Sequence, residues 1–178
     1  PMGFTQYRQV KAQEAAEKIQ DGSTLCTIGM TLVSASESIL KAIEKRFETV
    51  GHPADITLVH SCGQSDRKDG IQHLAHEGLV KRIVGSHWGL QPRWMEMIAN
   101  SQVEAYCLPQ GQIAQLYRSM ACGLPGKMSK VGLGTFIDPR VEGGKMNDRT
   151  KPLPDLVDIL EYGGEEYMFY KEIPLDTV

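Results

Sequence analysis

Apolar residues recur along this chain in short bursts separated by polar, glycine-containing stretches, and the spacing inside each burst predicts an element. Over residues 10–19, Val10, Ala12, Ala15, Ala16 and Ile19 fall at helical spacing and Asp21-Gly22 ends the run. Residues 24–28 read as a strand. Gly29-Met30-Thr31 then turns the chain, and Ser34 or Ser36 can cap a helix whose apolar face is Ile39, Leu40, Ile43 and Phe47. Further strands are predicted over 56–60, 79–84, 103–107 and 130–133, with helices near 91–100 and 111–121. In the first of those helices Trp94, Met95, Met97 and Ile98 are read as core. Short apolar strands alternating with helices imply an α/β fold, a three-layer, open, mostly parallel sheet with helices on both faces. From about 153 the pattern changes: residues 156–162 and 165–170 flank Gly163-Gly164 as a C-terminal β-hairpin, and 153–178 closes with what reads as the start of a further strand.

A chain of 178 residues suits one domain with one complete core. With 19 Lys and Arg against 22 Asp and Glu, spread without a basic stripe, nucleic acid is not favoured as a partner. No apolar run approaches the roughly 20 residues of a spanning helix, and the opening residues show neither a charged leader nor a cleavage-like site, so no membrane partner is expected and the expected location is the cytoplasm. The four cysteines, Cys26, Cys62, Cys107 and Cys122, are widely spaced and read as reduced thiols. Cys62 and Cys107 stand near strand ends, where a nucleophile could sit, but small apolar filler is the commoner role.

In a parallel sheet the ligand crevice lies at the carboxyl ends of the strands. Five loops are predicted there, Gly29-Met30-Thr31, Ser61-Cys62-Gly63-Gln64, Gly85-Ser86-His87-Trp88-Gly89, Leu108-Pro109-Gln110-Gly111 and Gly134-Thr135-Phe136. Each joins glycine to hydrogen-bonding or aromatic side chains, which suggests a continuous polar crevice. Helix starts after Gly29 and Gly111 would aim free backbone N–H groups at it, suiting an anionic or carbonyl oxygen. Gly132 and Gly134 open a connection that misses the dinucleotide-binding pattern, because Ile137 stands where its third glycine belongs.

Several of these stretches, in order, resemble the N-terminal half of family I coenzyme A transferases, and the likeness is strongest to the single-chain acetate and propionate (acyl-CoA:acetate/3-ketoacid) branch. They are Ala75-His76-Glu77-Gly78-Leu79-Val80-Lys81-Arg82, Gly85-Ser86-His87-Trp88-Gly89, Leu108-Pro109-Gln110-Gly111, and residues 131–145 with Asn147. The likeness runs from about Val10 to the last residue. Asp21-Gly22-Ser23-Thr24 through Gly29-Met30-Thr31 corresponds to the family's first strand and turn, with Met30 and Thr31 replacing the commoner two-glycine, phenylalanine form. The resemblance implies an enzyme that exchanges CoA between a short-chain acyl-CoA and a carboxylic acid of the acetate, propionate or acetoacetate class, through a glutamyl-CoA thioester. CoA is then a substrate, with no permanently bound cofactor and no metal. The family's glutamate lies in a C-terminal Ser-Glu-Asn-Gly-like stretch, which this sequence lacks. Residues 1–178 are thus expected to be one N-terminal, incomplete domain without a catalytic nucleophile, inactive alone, partnered by a C-terminal half or β subunit, and assembling as a homo-oligomer.

Within that resemblance the substrate-binding candidates are Gln110, Gly29, Met30, Thr31, Gly111, Thr135 and Phe136. Gln110 leads, because an amide before a helix start can donate to an acyl carboxylate or a developing oxyanion; a surface or capping glutamine is the plainer reading. Asp138 and Arg140 are expected to pair with each other or with the missing half. Glu37, Glu104 and Glu142 are read as helix surface, strand end and solvated loop. His73 and His76, three apart, could share a helix face as zinc ligands, but the zinc-protease spacing is absent. His87-Trp88 either lines the crevice or anchors a loop. Two other classes compete: a sugar-phosphate isomerase-like enzyme, which needs an acid and a base inside this chain, and a non-catalytic binding or assembly half, which an exposed apolar face around 167–170 would favour.

Overall fold

A computed structural model of the protein describes residues 8–178; residues 1–7, on which the expectation of a leaderless start falls, lie outside the described residues. In chain order the elements are α1 (Ala12–Glu17), β1 (Thr24–Thr27), α2 (Glu37–Val50), β2 (Ile56–His60), a 3-10 turn (Gly70–Leu74), β3 (Val80–Gly85), α3 (Pro92–Ala99), β4 (Glu104–Cys107), α4 (Gln110–Ala121), β5 (Gly126–Ser129), β6 (Val157–Tyr162) and β7 (Glu165–Lys171). Strands β1 to β4 form a parallel sheet in sequence order, and β5-β7-β6 form a separate antiparallel sheet.

Side chains alternate across a strand, so the register of the parallel sheet sorts its residues into two transverse rows. Leu25, Leu58, Ile83 and Ala105 are aligned neighbours on one face, and Cys26, Val59, Val84 and Tyr106 on the other. The first row packs under α1, α2 and α3 through Ala16, Leu40, Ile43, Trp94 and Ile98. The second meets Ile113 of α4 together with Val157, Met168 and Tyr170 of the antiparallel sheet. Three layers therefore form as expected, but the second face is shared between one helix and a small sheet. Full burial of a side chain such as Leu58 contributes about 1.5–3 kcal/mol, so the two rows anchor the fold.

The strand predicted at 130–133 does not form. Strand β5 lies earlier and runs antiparallel to β7, while 130–144 is a series of turns. Gly132 and Gly134 take φ of 99° and 69°, outside the extended region, and the Tyr170 hydroxyl donates to Val131 O at 2.6 Å, holding the turn against β7. At the amino end, α1 spans only part of the predicted run. Ser36 occupies the N-cap of α2, but its hydroxyl makes no capping bond, and Ser34 sits at φ 62°. Met95 is 51% exposed, so the predicted core face of α3 reduces to Trp94, Met97 and Ile98.

Both edges of the parallel sheet are partly covered by backbone. On the β1 side, Cys26 N–H donates to Thr177 O at 2.8 Å and Asp176 N–H to Thr24 O at 3.0 Å. On the β4 side, Cys107 N–H donates to Gly144 O at 2.7 Å and Met146 N–H to Ala105 O at 2.9 Å. Asn147 locks that crossing, its Nδ2 donating to Ile98 O and Val103 O at 2.9 Å each.

Candidate functional site

The loops at the carboxyl end of the parallel sheet are joined through the one that follows β2. Four successive carbonyls there are each held by a different group. Ser86 Oγ donates to Ser61 O, His60 Nδ1 stands 2.9 Å from Cys62 O, Thr31 N–H donates to Gly63 O at 2.9 Å, and Ile71 N–H donates to Gln64 O at 2.8 Å. Gln64 itself is buried and donates through Nε2 to Thr27 O at 2.8 Å.

Sequence reasoning misses His60 as part of this assembly, although a histidine closing an otherwise apolar strand end is the signal that marks it. Its ring is fully buried, lies edge-on to Trp88 with centroids 5.9 Å apart, and leaves no room for a side chain at Gly85. Burial pushes its pKa down to about 4, so the ring is neutral, and with Nδ1–H directed to Cys62 O its Nε2 has no partner among the described residues. Trp88 thus anchors the loop, while exposed His87 lines the crevice.

Loops after β3 and β4 and the turn at 136–137 border an open cavity of about 380 Å³ lined by Ser86, His87, Cys107, Leu108, Pro109, Gln110, Phe136 and Ile137. Gln110 and Phe136, from separate parts of the sequence, come together there. Gln110 opens α4 and is exposed; the N-cap, Pro109, has no side chain to cap the helix. The N–H groups of Gln110 and Gly111 donate to no acceptor among the described residues, so the positive end of the helix dipole sits beside Gln110. Gly111 itself does not line the cavity. Phe136 arrives through the chain's return path, with Gly144 N–H donating to Phe136 O at 2.9 Å. Thr135 stands next to it, but its hydroxyl donates to Gly132 O at 2.8 Å. Gly29, Met30 and Thr31 lie outside this cavity, against the β2 loop, where a β-carbon on Gly29 would meet Val33 O at 2.9 Å.

Among the described residues, no carboxylate lines the cavity. Its thiol, Cys107, donates to Ser86 O at 3.6 Å, and burial pushes its pKa up to about 11, which keeps it protonated at neutral pH. Asp138 is 1% exposed and paired as expected with Arg140, at 3.0 Å to Nε and 2.9 Å to Nη2, while the same guanidinium reaches Glu166 at 2.9 Å. The Arg140 bonds, with the amides of Gly134 and Arg140, hold the Asp138 carboxyl well below the usual carboxylate range against the opposing effect of burial. Glu104 is buried at the start of β4 and takes Arg82 Nε at 2.7 Å; Glu142 is exposed.

His73 and His76 do not form the zinc arrangement weighed from their spacing. Both engage Glu44 of α2, and His73 Nε2 also meets Glu37 at 2.8 Å. Glu37 and Asp69 are bridged by Lys41 Nζ at 2.9 and 3.3 Å, which ties the group together through ion pairs. No described helix is long and apolar enough to cross a membrane.

The coenzyme A transferase family profile matches residues 9–177. Among curated proteins, the chain is 42% identical over 169 residues to a caffeate CoA-transferase of Acetobacterium woodii, covering 94% of this chain and 32% of the relative. It is 38% identical to the acetate CoA-transferase YdiF of Escherichia coli K12, with the same coverage. Among solved structures it superposes on the thioester complex with CoA of the E. coli O157:H7 acyl-CoA transferase YdiF with a TM-score of 0.87 at 36% identity, covering 94% of this chain and 33% of that one. The chain therefore spans about a third of the length of the curated relatives it matches. With this match across the parallel sheet, the antiparallel sheet and the crevice loops, the chain belongs to the coenzyme A transferase family.

Proposed function

We propose that this chain forms the acyl-side wall of a CoA-transferase that moves CoA between a short-chain acyl-CoA and a carboxylic acid, using a glutamyl-CoA thioester whose glutamate lies outside residues 1–178. The observation that carries this reading is the composition of the cavity: an amide and a helix start to receive oxygen, apolar walls to exclude water, and no acid among the lining residues. Such a cavity can bind and orient an acyl group but cannot attack it. The thiol in the lining is protonated, and among the described residues His87 has no carboxylate in the lining to form an acid–base pair.

In this arrangement Gln110 Nε2 donates to a carboxylate or thioester oxygen, the helix dipole favours negative charge there, and Phe136, Leu108 and Ile137 exclude water that would hydrolyse a thioester. The chain alone is inactive; the nucleophile is supplied by a C-terminal half or a separate subunit, and the assembly is a cytoplasmic homo-oligomer. An isomerase-like reaction gains no support from the cavity, which lacks an acid to pair with a base. A purely assembling role would be favoured by an exposed face at 167–170, but Met168 and Tyr170 are buried and Tyr167 and Phe169 are only half-exposed.

The test is intact mass spectrometry of the native gene product before and after acetyl-CoA or propionyl-CoA, with borohydride trapping. A product well above 19.7 kDa carrying a modification on a glutamate beyond this chain is expected. Covalent labelling on any residue within 1–178, or a native product of this size that remains unmodified with a partner subunit present, would overturn the assignment.

A further inference from the structure

On the helical side of the sheet, His73 occupies an unusual position. Its Nδ1 stands 2.5 Å from Glu44 Oε2 and its Nε2 stands 2.8 Å from Glu37 Oε1, so both ring nitrogens face carboxylates. A neutral imidazole carries one N–H and could serve only one of them; the other contact would set a lone pair against an oxyanion. Only the imidazolium satisfies both. The groups facing it are Glu37, Lys41 and Glu44 from α2, Asp69 and His76 from the 3-10 turn and its flanks, and Arg93 from α3, which lies 3.5 Å from Glu44. Three carboxylates thus meet Lys41, Arg93 and His73, and removing the His73 proton leaves the cluster with excess negative charge.

Because the 3-10 turn is bonded to the crevice, the state of His73 bears on more than this surface. Gly70 N–H donates to Glu37 Oε2 at 2.8 Å and the next amide, Ile71 N–H, donates to Gln64 O at 2.8 Å. A β-carbon at Gly70 would run into the Gln64 carbonyl, so turn and loop pack without slack. We propose that His73 is a protonation-dependent clamp: as an imidazolium between Glu37 and Glu44 it pins the 3-10 turn to α2 and, through Ile71 and Gln64, fixes the loop after β2 at the edge of the crevice.

The acid–base balance agrees with this geometry. Burial lowers the His73 pKa, but hydrogen bonds and charge from Glu37 and Glu44 outweigh it, and the net direction is upward from 6.5. A raised histidine pKa stabilises the fold fully below 6.5 and loses that contribution as pH rises through the folded value. The carboxylates set the lower limit. Burial raises Glu37 and Glu44, but Lys41, the Gly70 amide and His73 bring Glu37 to about 2, and His76 and His73 bring Glu44 below 4.5. Their contribution is present above 4.5 and fades below it. The clamp is closed between these limits and opens as pH rises through the folded His73 value, which lies above 6.5.

The experiment is an NMR titration of the His73 ring in the 178-residue chain, run with amide hydrogen exchange at Gly70 and Ile71 corrected for intrinsic rates. His73 is expected to titrate above 6.5, and protection of the two amides to fall several-fold through the same pH. In Glu44→Gln both transitions should move together to lower pH, a displacement that lost packing alone would not produce. A His73 titrating at or below 6.5, or Gly70 and Ile71 protection that stays level through its titration, would overturn the clamp. These readings need no His73 variant, so a His73→Gln protein that failed to fold would not leave the question open.

Discussion

Gly144 and Cys107 are joined backbone to backbone: the Cys107 amide donates to Gly144 O at 2.7 Å, and the Gly144 α-carbon packs so tightly on the Cys107 carbonyl that a β-carbon would overlap it. Through its own amide Gly144 also holds Phe136 O at 2.9 Å. One glycine therefore sets how closely the turn carrying Phe136 approaches the strand end that leads into Gln110.

Replacing Gly144 by alanine combines a φ of 71°, which costs about 1 kcal/mol for a non-glycine residue, with an overlap against backbone that cannot swing aside. A loss of about 2–4 kcal/mol is expected, lowering Tm by roughly 5–15 °C. Gly134 is the control, since its φ is 69° and a β-carbon there meets nothing within 4 Å among the described residues. Calorimetry of both variants decides: Gly144→Ala no worse than Gly134→Ala would mean that the contact is not what fixes this crossing.

Asp138 organises the same turn from inside. Its carboxylate accepts from the Gly134 and Arg140 amides and from the Arg140 guanidinium, so Asp138→Asn should cost about 1–3 kcal/mol at pH 7 in urea unfolding. A depressed carboxyl pKa stabilises above the unfolded value of 3.8 and loses that contribution as pH falls below it. The gap between wild type and variant should accordingly narrow between about pH 4 and pH 2. A gap that held constant over this range would show that shape, not charge, carries the interaction.

The parallel sheet could be read from the chain because its strands are runs such as Ile-Thr-Leu-Val-His, which bury both faces and signal themselves locally. The misplaced fifth strand shows the limit of that signal. Residues 130–133 are apolar enough for a strand, yet what decides their conformation is Tyr170, 39 positions away, whose hydroxyl captures Val131 O. Gln110 and Phe136 could be named because a polar or aromatic side chain beside glycine is visible in the sequence. Their meeting in one cavity, and the separation of Gly29, Met30 and Thr31 from it, depend on the return path through Gly144. His60 is harder to find because its importance lies in a carbonyl it holds and in the room that Gly85 leaves for its ring, a pairing that is not visible along the chain.

The four cysteines should separate by reactivity. Cys122 is exposed, whereas burial pushes Cys107 up to about 11 and also raises Cys26. Iodoacetamide near pH 8 followed by peptide mapping should label Cys122 first and Cys107 and Cys26 last. Labelling of Cys107 ahead of Cys122 would reveal a thiolate in the cavity and reopen the case for a nucleophile within this chain.

Gln110 offers the sharpest separation of binding from folding. It is exposed at the start of α4, so Gln110→Ala should leave Tm within about 1–2 °C of wild type, as surface changes away from packed or capped positions do. On the role proposed for Gln110, the same change in the full-length protein removes a donor from the acyl oxygen, and kcat/KM should fall roughly 10- to 100-fold. Gln110→Glu should fall further, because it keeps the size of the side chain while setting a second negative charge against the carboxylate substrate. Gly111→Ala is the companion measurement: a β-carbon there meets no atom within 4 Å among the described residues, so a loss of activity at unchanged stability reports contact with ligand or with the rest of the protein. If Gln110→Ala and Gln110→Glu both retained full activity, the amide would be a solvated helix start, and the acyl group would have to be placed against another wall of the crevice.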